Sequence, residues 1–351
     1  MARNNFSPAS HVKENVIQTV LVALAALQAP PAFVVQPYYV YPNDFTAKPQ
    51  HKIAISRTMD ELQGWFRDRV GSTFTLKPVI EIKSRQDYVM MRVGASPTAE
   101  DAANKTFMPN WFASLREAVG GEFKPKQISV IFAAGGGGYS TGKISGNDSG
   151  VAVIGDWFLE AESGIKDANA IPAPANQKPD LPTGILAARL GQAFGLLNPE
   201  AMPGPSLVGG FQSYPNTRLM AHETLILRNS PFFGFGDGDQ NVPRLNWDTA
   251  DRGVWGDSFY VMANGLMNTD MVEVSWMGKP TENPNSTIKQ MSVFVGLDGV
   301  SEDKGRFKIP NGAGPGFIRI WRGAQKSNMI TVNFLSPEQA KIKGGSLIPV
   351  T

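Results

Sequence analysis

Residues 183–199 read TGILAARLGQAFGLLNP, and how this stretch is read decides the fold. Leu186, Leu190, Ala193 and Leu197 recur at the spacing of one helix face, so the segment is a helix over 183–197. The small residues at 187, 188, 191 and 193 suit close packing against a neighbour. The polar, proline-rich residues 164–182 before it form a loop. Further out, Ile55, Met59, Leu62, Phe66 and Val70 predict a helix over 51–70 that Gly71 ends. FTLKPVIEIKS (74–84) alternates as a strand does, and 109–119 carries Phe112, Leu115 and Val119 on one helix face. ISVIFAA (128–134) is a buried strand, followed by a glycine-rich loop over 135–150 and the strand VAVIG (151–155). A last helix covers 218–229. Helices and strands thus interleave in an α/β domain with a mixed sheet and long helices.

From about residue 270 the texture changes. MVEVSW, QMSVFVG, GFIRIW and MITVNF are short alternating runs separated by the turn-rich PTENPNS, LDGVSEDKG and PNGAGPG. That pattern predicts a small all-β sandwich. The expected organisation is an N-terminal arm or helix (1–44), an α/β domain (45–236), a linker (237–269) and the sandwich (270–351). A chain of 351 residues is long enough for two domains at roughly 150 residues each. No solenoid repeat is present.

Composition excludes several chemistries. Lys and Arg total 33 against 31 Asp and Glu, a net +2 that gives no basic excess for a nucleic-acid partner. The absence of cysteine removes disulfides, thiolate zinc sites and cysteine nucleophiles. His11, His51 and His222 are the only histidines. No apolar run reaches the roughly 18–20 residues of a membrane span. VIQTVLVALAAL (16–27) reads either as a signal-peptide core or as a retained helix with Ile17, Val20, Leu21, Leu24 and Leu27 on one face. The first places the chain outside the cell or at its surface, the second in the cytoplasm. The apolar helix and the aromatic, proline-rich PPAFVVQPYYVYP after it together look like an arm that docks on another surface.

Three near-motifs fall short of their chemistry. GGYSTGKI (137–144) has the spacing of a phosphate-binding P-loop, but Ile144 replaces the magnesium-holding Ser or Thr and no helix follows. A glycine-rich turn between strands is the better reading. His222-Glu223 would need a second histidine at Ile226 to grip zinc, so His222 is read as a surface histidine on a helix. Asp237, Asp239, Asn241 and Asp248 occupy positions one, three, five and twelve of a calcium-type loop, although Val242 replaces the sixth-position glycine. Weak calcium binding there is the one metal expectation. The pairs Asp156 with Glu160 and Asp248 with Asp251 are the carboxylates a hydrolase would need.

The core of the opening stretch, AARLGQAFGLLN, resembles the metzincin zinc-protease signature, in which three histidines and a glutamate surround the metal. Leu190, Gly191, Phe194, Gly195, Leu196 and Pro199 keep the framework. The working positions do not: Ala188 and Gln192 stand at the first two ligand positions, Arg189 at the general base and Asn198 at the third ligand. The segment 205–233 resembles the region of the methionine turn, with Val208 where the methionine lies. The resemblance covers about 45–236, and the C-terminal strands resemble the immunoglobulin-like modules appended to exported bacterial enzymes. It implies a zincin-type fold without zinc and without catalysis, a pseudoprotease. The functional expectation is a structural or assembly protein at the surface or outside the cell, acting by self-association or on a protein partner through residues 32–41 and an edge of the sandwich. A polysaccharide- or protein-binding module using Trp247, Trp255 and Trp276 is the first alternative, and a carboxylate-based hydrolase the second.

Overall fold

The computed structural model describes residues 33–95, 114–120, 124–145, 148–165, 181–197, 206–234, 242–246, 249–278 and 287–342. The architecture is mixed α/β followed by a β-rich half. The expected helix over 16–27, Trp247 and the four calcium-loop residues Asp237, Asp239, Asn241 and Asp248 lie outside the described residues.

The first sheet is built on β1 (Val34–Tyr41), which pairs in parallel with β4 (Gln127–Ala133) on one side. On its other side lie the short β2 (Thr75–Leu76) and β3 (Ile80–Lys83), both parallel to it. Beyond β4 come β6 (Ser149–Ile154), parallel, and β5 (Ser140–Ser145), antiparallel and at the edge. Here the aromatic segment departs from the expectation of an arm: Val34–Tyr41 of it is an inner strand of the sheet. Val35 and Tyr39 face one core while Tyr38 and Val40 face another. A strand covered on both faces reads as a continuous apolar run, which hides the period-2 signal. Pro37 is tolerated because the ladder breaks there between β2 and β3, and the Gln36 amide donates to the carbonyls of Pro78 (2.6 Å) and Pro37 (3.1 Å).

Helix α1 (Pro49–Val70) lays Ile55, Met59, Leu62, Phe66 and Val70 on the larger core and stops at Gly71, whose φ of 88° is the left-handed cap. α2 (Tyr88–Ala95) and the helical turn at 114–118 bring Met91, Leu115 and Val119 to the opposite face. α3 (Asp156–Ser163), α4 (Leu181–Ala193) and α5 (Ala221–Asn229) complete the layer over the larger core. Glu162 ties three of these helices together, accepting from Thr183 Oγ1 (2.7 Å) on α4 and from Arg57 on α1.

The second half holds a five-stranded sheet in the order β10 (Lys289–Gly296), β9 (Met271–Gly278), β12 (Pro315–Arg322), β13 (Gln325–Leu335), β7 (Arg252–Val254). A two-stranded sheet of β8 (Ser258–Met262) and β11 (Lys304–Lys308) shares its core, and α6 (Pro337–Ile342) follows β13. The expected linker over 237–269 therefore contains two strands. Leu245, Phe259, Val261 and Ala263 are buried with Val272, Ile318 and Phe334, so the sandwich begins well before residue 270.

Candidate functional site

The site is assembled where α4 lies against β5 and β6. Glycine makes the approach possible: a Cβ at Gly142 would overlap the Arg189 carbonyl, and one at Gly150 would overlap that of Ala193. The glycine-rich loop expected over 135–150 is thus partly a strand, β5, whose glycine lets a helix backbone rest on it. α4 ends in a Schellman motif, with Leu196 N–H donating to Gly191 O (2.9 Å) and Gly195 N–H to Gln192 O (3.0 Å). Gly195 takes φ 103°, so the turn glycine has a backbone role that needs no metal.

Ala188 and Gln192 are both buried on α4. Arg189 is partly buried between them; its Nε donates to Ser140 Oγ on β5 and its Nη1 to Gln192 Oε1, each at 2.9 Å. Burial holds the Arg189 guanidinium below its usual range, since desolvation disfavours charge. Asn198 lies outside the described residues. The donors present do not suit zinc. Ala188 has none, Arg189 is a cation, and the Gln192 oxygen already accepts from Arg189. Among the described residues no three His, Cys, Asp or Glu side chains come together as a metal-ligand set.

Beneath α4 the turn 206–210 is pinned by a carboxylate that sequence reasoning passed over. Glu223 is buried; its Oε1 accepts from Leu207 N–H (2.7 Å) and its Oε2 from Met220 N–H (2.8 Å). Burial pushes its carboxyl up to about 7 despite those bonds. The signal existed: a Glu three residues after the N-cap, Met220, is half of a capping box. Val208, at the methionine-turn position, is buried in the larger core. His222 is not the surface residue expected. Its Nε2 is buried without a hydrogen-bond partner, and desolvation holds the ring down to about 4.

Asp156, proposed as half of an acid–base pair, is a structural cap. It accepts from the backbone N–H groups of Gly135 (3.1 Å) and Gly137 and from Tyr88 Oη (3.3 Å), which shapes the loop that leads into β5. Burial raises its pKa. Of the tryptophans expected to bind sugar, Trp276 is 5% exposed within the sandwich core, and Trp255 is partly buried with Nε1 donating to Ala313 O (2.5 Å). Trp276 is thus part of the core, while Trp255 keeps part of its surface exposed.

No family model matches the chain, and no curated protein matches it. Among solved structures it is similar to wild-type OgpA from Akkermansia muciniphila at 13% identity and a TM-score of 0.36, covering 82% of this chain and 88% of that one. The catalytically inactive OgpA bound to an O-glycopeptide substrate gives 14% identity and a TM-score of 0.37, with the same coverage. A DUF4784 family protein from Bacteroides caccae gives 12% identity and a TM-score of 0.22, covering 27% of this chain and 24% of that one. These values mark a distant likeness of fold.

Proposed function

We propose that this chain is a non-catalytic protein of recognition and assembly, built on a body that its α4 sequence likens to the metzincin proteases. The observation that carries the reading is Arg189. A cation held by two neutral groups stands where a proton-accepting carboxylate would have to work, and it has no water or metal chemistry to offer there. The test is peptide hydrolysis by the full chain after incubation with zinc. No turnover above a zinc blank is expected; turnover abolished by Arg189→Ala would overturn the reading.

Assembly has a surface of its own in this proposal. β10 pairs with β9 alone among the described strands, and no described strand lies along its other edge. Val293 (36% exposed) and Phe294 (53% exposed) lie on it, and residues 290–296 contain no charge or proline to guard it. An antiparallel two-fold pairing of β10 with a second copy would bring exposed Lys289 of one chain beside the exposed Asp298 turn of the other. Sedimentation analysis should show dimers that Val293→Lys converts to monomers; a mass unchanged by that variant removes β10 from the account. A cell-surface or extracellular location belongs to the same reading and is tested by fractionating the source cells.

A further inference from the structure

In the second half, β7 and β8 each end a sheet, and a cleft lies between the two ends. Among the described strands β7 pairs with β13 alone and β8 with β11 alone. The cleft holds about 220 Å³ and is walled by Val254, Phe259, Tyr260, Met262 and Ile309. Tyr260 is exposed, so this apolar wall is open to solvent.

The hydrogen bonds around the cleft show which main-chain groups point into it, since successive residues of a strand direct theirs to opposite edges. On β8, the N–H of Met262 donates to Thr249 Oγ1 (2.9 Å) and its C=O accepts from Asn246 N–H (2.6 Å), both on the side away from β11. Tyr260, two residues back, points the same way. Its ladder neighbour Arg306 confirms this, because the N–H and C=O of Arg306 bond Asp298 instead (3.0 and 2.7 Å). On β7, Asp251 C=O accepts from Asn333 N–H (2.7 Å) and Trp255 N–H donates to Leu335 O (3.0 Å), so 251 and 255 face β13. Arg252 and Val254 therefore face the cleft side. The N–H and C=O of Arg252 and Tyr260 and the N–H of Val254 make no hydrogen bond to another described residue. Free edge groups beside an apolar cleft fit an extended peptide, whose main chain bonds the edge while alternate side chains enter. The volume is below the roughly 300–1,000 Å³ of small-molecule pockets, which suits a strand that sends in a side chain or two.

The sequence supplies a segment of this kind. After α6 it reads KGGSLIPVT (343–351), which lies outside the described residues. No charged side chain follows Lys343, and Leu347, Ile348 and Val350 are apolar. Ile348 precedes Pro349, a position biased to extended backbone, and Pro349 has no N–H to continue a ladder. The segment also starts close by. Leu335 of β13 stands beside Val254 in the ladder, and α6 begins two residues later. A six-residue helix is about 9 Å long, while the five residues from 343 to 347 span up to about 17 Å. The cleft is within that reach whichever way α6 points.

We propose that Ser346–Ile348 of this chain lies as an extended strand in the cleft between β7 and β8, with its main chain on the free edge groups and Leu347 or Ile348 against the apolar wall.

The test is amide hydrogen exchange of the full chain, read by mass spectrometry at Arg252, Val254 and Tyr260. These amides should be protected in the wild-type protein. Leu347→Asp combined with Ile348→Asp should make them exchange at least about tenfold faster while β9 and β12 keep their rates, which shows the fold intact. Tyr260→Lys, at an exposed position on the cleft side, should release Arg252 and Val254 in the same way. Exchange in the wild-type protein as fast as in an unstructured chain, or rates indifferent to both variants, would overturn the proposal. Protection that fades on dilution would also overturn it, since the occupant would then be a second copy.

Discussion

Buried Glu223 and half-buried His222 are adjacent on α5, and their proton linkages oppose each other. Glu223 has a folded pKa of about 7, above its ordinary 4.5. The folded state therefore holds a proton that the unfolded chain releases, and stability from this group is lost as pH rises from 4.5 through 7. His222 has a folded pKa of about 4, below its ordinary 6.5, so the unfolded chain takes the proton and stability is lost as pH falls from 6.5 through 4. Between roughly pH 4.5 and 6.5 the two contributions cancel. Chemical denaturation of Glu223→Gln should uncover the His222 dependence, with stability rising by up to about 3 kcal/mol across that window; His222→Ala should uncover the opposite slope. Matching slopes in the two variants would show that these groups are not buried as described. Neither role was open to a sequence reading that treated the pair only as a failed zinc motif. His222 is half-buried with its Nε2 enclosed by tertiary packing, which local pattern does not encode.

The elements divide according to how far local pattern determines them. α1, α4, β4, β6, β9, β10, β12 and β13 carry clean 3.6- or 2-residue periods or compact apolar runs, and all were legible. β1 was not, because a strand buried on both faces and interrupted by Pro37 looks like an unstructured aromatic arm. One consequence is that deleting residues 1–44 removes an inner strand of the sheet along with any docking segment, so it should unfold the first half. β5 escaped because Gly142 and Lys143 in its middle are poor strand formers, and the glycine is there for α4. The contact of Arg189 with Ser140 was equally hidden, since it joins elements 49 residues apart. The close approach makes a sharp prediction. Gly142→Ala forces its methyl group onto the Arg189 carbonyl, so urea unfolding should show a loss of about 2–3 kcal/mol or more. A loss below about 0.5 kcal/mol would mean that α4 does not rest on β5 as described.

At the scale of the whole molecule, the two halves meet through polar groups set in apolar packing. Arg319 on β12 donates to Asn229 Oδ1 at the end of α5 (2.7 Å) and pairs with Glu273 on β9 (3.4 Å), while Trp321 Nε1 donates to the same carboxylate (2.8 Å). Met329 of β13 packs on the core of the first half. Both members of the ion pair are nearly buried, so removing one leaves an uncompensated charge. Glu273→Gln should cost about 3–5 kcal/mol, and Arg319→Met, which removes both the cation and its link to Asn229, should split a single calorimetric transition into two. A single transition in that variant would show that the halves are coupled by other contacts.

Whether α4 has any metal chemistry bears most directly on the proposed function. The decisive measurement is the metal content of purified, untagged full-length protein by mass spectrometry, with zinc and calcium read together. The account predicts no stoichiometric zinc, with calcium the one metal that the acidic loop at 237–248 leaves open. One tightly held zinc per chain would contradict it, since Ala188, Arg189 and Gln192 offer no set of donors able to hold that ion.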